Sequence, residues 1–432
     1  MNKGRRLHLS YERMALLVSG APAYPVLTSP SPLEPKFLDR LQNVSYSFNY
    51  NAQQLRELGS FEYIKHRNST TSRIPIVAQP QVDLSFGYFM FDGQNEKNIG
   101  FNIPEYTWDA NSQSWTPPSQ LDGILTNSSL YHLPDFQNAP DQKADKGDVN
   151  FFVLAEDTTQ RKQILGREAN ENPEFAGLDL ISFGNCYINN YSISAAVGQL
   201  VECSLNYTCS NITFDIYTPP PTGPQIGIPT RSPAVDGSGE RTSQLVEMPD
   251  LKDDYKFMND SDFAMVLRPG DLEVKLINNK SGSDGGFNLL DFDEDLIAVQ
   301  SIGIEIGIER KDLNGFGSNY IKDRKIQFPV LCSLSIEVVA QNLGKNRTDI
   351  SRIFKDDVDY DLQLTMRVRD SLQAFSSKEK DSRKRIQMVV SNAKLNSENH
   401  SVQIGGYYNI SADFVFEITP EGGFSIAKFN NP

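Results

Sequence analysis

The chain has 432 residues, with 41 Lys plus Arg against 55 Asp plus Glu, a formal net charge of -14, and only four His and four Cys. That length implies two or three domains of ~100–200 residues, and a hydrophobic content of 39% is too high for a disordered chain and too low for a multi-span membrane protein. The acidic balance argues against a protein that grips nucleic acid through a broad basic face, because phosphate is held by Lys and Arg, but it allows one that merely encloses DNA.

Taken from the N-terminus, Met1 to Arg6, Met14 to Val18 and Ala21-Pro22-Ala23 have the outline of a signal peptide. Glu12 and Arg13 interrupt it, and the apolar run falls short of the ~7–15 residues that such a segment needs. Residues 1–37 therefore read as a non-secreted arm, and Asn-x-Ser/Thr triplets such as Asn206-Tyr207-Thr208 read as chance products of an Asn- and Ser-rich chain. No stretch approaches the ~20 apolar residues of a membrane span.

Period-two alternation, the mark of a half-buried strand, then dominates. Val44, Tyr46, Phe48 and Tyr50 alternate with polar residues, and the pattern recurs at Val82 to Tyr88, Val201 to Cys209, Ile302 to Ile308, Leu334 to Val338, Tyr360 to Val368 and Ile410 to Ile418. Helical spacing is confined to Gln53 to Leu58 and Asp349 to Phe354. Asp92 to Asp148, rich in Asn, Gln, Pro and Asp, reads as long surface loops. Thr218 to Asp250, with seven prolines, reads as a semi-rigid connection.

The chain is also its own template. Gln42 to Val44 and Leu55 to Gly59 match Gln300 to Ile302 and Leu313 to Gly317, 258 residues further on. Val82-Asp83-Leu84 matches Ile336-Glu337-Val338, and Asn185, Ile188, Ser194, Ser204 and Tyr207 fall on Asn392, Leu395, Ser401, Ser411 and Phe414, 207 residues further on. Each anchor alone is ordinary for a β protein; the shared order points to a tandem duplication. The expected organisation is an arm (1–37), a first β domain (38–217) with a loop insertion (92–148), a linker (218–261) and a second β domain (262–432).

Motifs for chemistry are missing. Cys186, Cys203, Cys209 and Cys332 are too sparse for a disulfide scaffold, and Cys203 and Cys209 lie some ~20 Å apart on one strand face. His8, His66, His132 and His400 are scattered, and no zinc spacing, G-x-S-x-G, P-loop or HExxH occurs. The acidic loop from Gly282 to Asp295 lacks calcium-loop spacing, and Lys378 to Arg385 reads as a solvated hairpin tip. Asp356 and Asp357 carry no geometry that would make them catalytic. No catalytic residue, metal or cofactor is expected.

The segments Gln42 to Gly59, Val82 to Phe86 running into Asp92 to Lys97 and Gly100-Phe101, and Asn185 to Gln199 resemble the major tail-tube proteins of long-tailed bacteriophages. Leu267 to Asp271, Gln300 to Gly317 and Asn392 to Phe416 resemble the same pattern again, through strand-type motifs rather than a single signature. The resemblance implies a mainly β fold of two tandem β-sandwich or open-barrel domains of tail-tube type, each with a short helix. It implies a virion protein, made in the host cytoplasm, that stacks as rings around a DNA-conducting channel.

Such rings are usually six-membered with one domain per chain, so a tandem pair implies three chains per ring, a departure that leaves the stoichiometry open. Terminator, tape-measure and distal-tail proteins are the implied partners, with no membrane and no sequence-specific DNA contact. An acidic inner wall repels phosphate, so the carboxylates alternating with the apolar face (Asp83, Glu305, Glu309 and Glu337) are candidate channel-lining residues, or else simply face bulk solvent. The arm and the 92–148 loop, with Asp92, Trp108, Trp115 and Asp148, are candidate inter-ring contacts. The alternatives are a tail terminator, distal-tail or baseplate ring of the same fold, or a carbohydrate-binding β-sandwich for host adhesion, for which Trp108 and Trp115 are the available aromatic platforms.

Overall fold

A computed structural model describes residues 11–20, 35–49, 81–109, 114–116, 123–125, 149–157, 179–216, 226–227, 245–246, 272–278, 288–291, 297–313, 323–340, 359–367, 384–402, 408–420 and 422–430. They are mainly β. The first stretch contributes β1 (Tyr11–Gly20), β2 (Lys36–Phe37), β3 (Leu41–Asn49), β4 (Gln81–Phe89), α1 (Gln94–Asn98), β5 (Glu105–Asp109), β6 (Ser114–Thr116), β7 (Val149–Asp157), β8 (Asp179–Ala196) and β9 (Glu202–Ile216). A two-residue pair, β10 (Ile226–Gly227) and β11 (Leu245–Val246), falls in the Pro-rich region. Then come β12 (Leu272–Asn278), β13 (Asn288–Asp291), β14 (Ile297–Gly307), β15 (Arg310–Leu313), β16 (Asp323–Ile326), β17 (Val330–Ala340), β18 (Asp359–Arg367), β19 (Lys384–Val402), β20 (Tyr408–Ile418) and β21 (Phe424–Asn430).

Seventeen of the strands join one sheet system, and their neighbour order repeats. The first set runs β2-β1-β7-β8-β9-β4-β3 and the second β13-β12-β18-β19-β20-β17-β14, antiparallel throughout. The irregularities coincide as well. The β8–β9 ladder shifts between Ile188 and Asn190, and the β19–β20 ladder between Leu395 and Ser397, 207 residues on. The β7–β8 ladder shifts between Val149 and Phe151, and the β18–β19 ladder between Tyr360 and Leu362. At that second bulge Asn392 takes a left-handed φ of 58, which Asn tolerates better than most residues, and its N–H donates to Asp361 Oδ1 at 2.9 Å.

Each set folds into two layers. β4 and β7 are not ladder neighbours, yet Phe86 meets Phe151 edge-on at 5.2 Å and Tyr207 stacks on Phe86 at 5.7 Å, so the strands face each other across a core. In the second set Tyr360 of β18 meets Phe414 of β20 at 5.8 Å in the same manner. The long β8 and β19 serve both layers. The N-terminal half of β8 lies beside β7, while its C-terminal half lies beside β14, seven residue pairs from Ser301↔Ala196 to Gly307↔Asn190. The two sets thereby share one eight-stranded layer, β3-β4-β9-β8-β14-β17-β20-β19.

Several expectations change. Residues 11–20, assigned to an arm, form β1, whose Ala15, Leu16, Leu17 and Val18 are all buried. A run without alternation is what a strand covered on both faces needs. The helices expected at Gln53 to Leu58 and Asp349 to Phe354 lie outside the described residues. The described helix, α1, has no apolar helical spacing, because its buried positions are the polar Asn95 and Glu96. The 92–148 stretch is more than surface loop. Ile99, Phe101, Ile103, Ile124 and Leu125 are buried, and β5 runs parallel to β21 of the second set.

Candidate functional site: an acidic sheet face

Residues opposite one another in a ladder share a face, so the eight-stranded layer can be read rung by rung. One face carries Val82, Leu84, Phe86, Leu205, Tyr191, Ile193, Ile304, Ile306, Leu334, Ile336, Ala412 and Phe414, all buried. The other is mostly polar, with Leu331, 63% exposed and opposite Glu417, and Val415, opposite Ser333, as apolar interruptions. It passes from Ser45 and Ser47 (β3) through Asp83 and Ser85 (β4), Glu202, Ser204, Asn206 and Thr208 (β9) to Asn190, Ser192 and Ser194 (β8). Across the β8–β14 boundary it continues through Ser301, Gly303 and Glu305, then Ser333, Ser335 and Glu337 (β17), Ser411, Asp413 and Glu417 (β20), and Ser397 and Asn399 (β19).

The carboxylates on this face are held by neutral donors. Asn190 Nδ2 donates to Glu305 at 3.0 Å, Ser301 Oγ to Glu337 at 3.3 Å, Ser397 Oγ to Asp413 at 2.8 Å and Thr208 Oγ1 to Asp83 at 3.4 Å. The Ser45 and Ser85 hydroxyls share a bond of 2.6 Å. A hydroxyl or amide donor, as at Glu305, Glu337 and Asp413, fixes a carboxylate without cancelling its charge. Among the described residues, Lys394 stands on this face opposite Val415 in its last strand, and Arg310 and Arg324 of the β15–β16 hairpin lie over the Tyr187 ring, 5.3 and 5.0 Å from its centroid. Small side chains, with glycine at 303 and 307, keep the surface low. A Cβ on Gly303 would meet the Ser335 hydroxyl at 2.6 Å, whereas one on Gly307 would meet open space.

The structure thus brings Asp83, Glu305 and Glu337 onto one face, and adds Glu202, Asp413 and Glu417, which alternate in the same way but were not singled out. Glu309 lies past the end of β14, outside the ladder, where its carbonyl accepts the Gln327 N–H. Of the proposed inter-ring residues, Asp92 is engaged within the chain: its carboxylate accepts the Gln94 N–H at 3.0 Å and pairs with Lys428 Nζ at 3.3 Å. Trp115 packs edge-on against Phe429 at 4.9 Å, and Trp108 stands opposite it in the β5–β6 ladder. Asp148 lies outside the described residues.

A second cluster is buried beneath the first set. Glu96 accepts the Tyr88 hydroxyl at 2.8 Å and the Tyr191 hydroxyl at 3.2 Å, with Cys203 Sγ at 3.7 Å. Asn95, its neighbour on α1, clamps Asp39 by accepting its N–H and donating to its carbonyl. Burial pushes the Glu96 carboxyl above its ordinary pKa, and pushes Tyr88, Tyr191 and Cys203 well above theirs. Burial also takes the Cys332 thiol up to about 12. None of the four cysteines is in a disulfide and all are buried, as structural thiols are.

Among the described residues no group of three or more His, Cys, Asp or Glu is placed to hold a metal ion, and no helix is long and apolar enough to cross a membrane. No protein-family model matches the chain, and no curated protein matches it.

Proposed function

We propose that this chain is a structural virion protein, the tube subunit of a phage tail, whose two strand sets are tandem tube-type domains. Three chains form a pseudo-hexameric ring, rings stack into a tube, and the tube encloses DNA without reading its sequence. The observation that supports this is the polar, largely acidic face of the eight-stranded layer, which crosses from one set to the other. A surface rich in carboxylates, hydroxyls and amides repels the phosphate backbone and so lets a duplex slide past it. Terminator, tape-measure and distal-tail proteins are the further partners of this reading, and the chain has no catalytic role in it.

The residues also bear on a sugar-binding reading, in which a platform would present an aromatic face outward. Trp115 instead sets its ring against Phe429. Electron microscopy of the purified full-length protein at rising concentration tests the proposal. Hollow tubes of many stacked rings are expected. Single rings that never stack would replace the tube reading with a terminal ring protein, and a monomer at every concentration, including with an added tail initiator, would overturn both.

A further inference from the structure

Within the chain, β14 of the second set adds to the C-terminal half of β8 of the first. By neighbour order and ladder register, β14 is the counterpart of β3, and β8 the counterpart of β19. The same junction can therefore be written a second time, between β3 and residues 397–402 of β19. Among the described residues β3 carries one ladder, to β4, and residues 395–402 of β19 carry one, to β20. These two edges close opposite ends of the eight-stranded layer, about 34 Å apart at ~4.8 Å per strand, so one chain does not join them to each other.

Exposure marks what the internal junction covers. Ile304 and Ile306 of β14 are 2% and 1% exposed, whereas Tyr46 and Phe48, at the equivalent rungs of β3, are 44% and 41% exposed. On the other edge, His400 is exposed where its counterpart Ile193, beside β14, is buried.

We propose that β3 of one chain adds antiparallel to the end of β19 of a second copy, in the register of the internal junction. Val44 then stands opposite Val402, Ser45 opposite Ser401, Tyr46 opposite His400, Ser47 opposite Asn399, Phe48 opposite Glu398 and Asn49 opposite Ser397. This junction rests on the reading of the chain as a ring-forming subunit, and names the edge and register by which it does so. The faces agree: Ser45 and Ser401 continue the hydroxyl-rich polar surface, and Tyr46 and Phe48 continue the apolar one. The contact is head-to-tail, so each added copy renews both edges, and the series closes into a ring or winds into a helix.

The two junctions differ in chemistry. Internally Ile304 and Ile306 meet Ile193 and Tyr191. Between chains, Tyr46 and Phe48 meet His400 and Glu398, which lie 3.2 Å apart, with Tyr408 Oη 2.7 Å from His400 Nδ1. The inter-chain seam is the more polar one, and it yields before the internal seam does.

The test is cross-linking of the full-length chain. Ser45→Cys plus Ser401→Cys, both at exposed positions and with the native thiols buried, is oxidised mildly and run without reductant. A ladder of covalent multimers is expected, and a mixture of the two single variants stops at dimers. An off-register pair, Ser45→Cys plus Ser397→Cys, is expected to give at least about tenfold less product. Tubes or rings that form without the 45–401 bond, or that cross-link both pairs equally, overturn the junction and leave the tube reading standing. Cross-linked multimers that never form tubes keep the junction and remove the tube. A chain that neither cross-links nor assembles overturns both.

Discussion

Glu96 is the residue whose replacement most directly measures what holds the first strand set together. Its side chain is 1% exposed and accepts two hydroxyls, from Tyr88 and Tyr191, which are themselves fully buried. Glu96→Ala leaves both hydroxyls without that acceptor; at ~1–3 kcal/mol for each buried group, the loss is ~2–6 kcal/mol before any lost packing. Glu96→Gln keeps an oxygen where both hydroxyls can reach it and removes the charge. Burial raises the carboxyl's pKa above 4.5, so the folded chain holds this proton more tightly than the unfolded chain. Its stabilising contribution is full below about 4.5, the unfolded value, and is lost as pH rises through the folded-state value. Urea unfolding of the monomer from pH 4 to 9 reads this directly. The stability of Glu96→Gln relative to wild type is expected to grow as pH rises through that window and then level off, with Glu96→Ala below both throughout. A wild-type-to-Gln difference that does not move with pH, or an Ala variant as stable as the Gln variant, refutes the reasoning.

Three further outcomes are expected. Phe86→Ala removes a ring packed against Phe151 and Tyr207 and costs ~3–5 kcal/mol; an unchanged melting temperature would mean that the two layers do not meet there. Gly423→Ala, at a φ of 111 and with its new Cβ driven into the Glu417 carbonyl, costs more than ~2 kcal/mol, while Gly198→Ala, at a φ of 83 with open space around it, costs about 1 kcal/mol; equal melting temperatures would remove the steric part of the argument. Glu305→Lys with Glu337→Lys, on exposed positions, changes stability by ~0.5 kcal/mol or less but makes the protein retain duplex DNA at low salt and release it as salt rises; a mobility-shift series in which the variant behaves as wild type would dismiss the face as a phosphate-repelling surface.

How much of this was legible from residues alone depended on the side chains that mark each element. Alternating strands announced themselves, and the repeat from Asn185 to Tyr207 landed on the same rungs as Asn392 to Phe414, bulge included. The middle anchor slipped: Val82 was matched to Ile336, but the ladders make Cys332 its counterpart and set Ile336 opposite the equivalent of Val44. A shift of four keeps every side chain on its own face, so alternation alone does not detect it. β1 was hidden by being apolar on both faces, α1 by burying Asn95 and Glu96, and β5 and β6 by their brevity. Asp83, Glu305 and Glu337 were found through alternation. Glu202, Asp413 and Glu417 were equally visible by that criterion, and what they lacked was a ladder to show which strands lie side by side.

The internal seam between β8 and β14 also changes what the covalent link between the two halves is for. Seven residue pairs of backbone ladder cross the boundary, flanked on either side by β9 and β17. A pull along those strands loads every rung together in shear, and the chain answers as one stiff plate instead of two beads on a string. The peptide joining the halves sets their stoichiometry at one to one, while the stiffness of the boundary comes from the sheet.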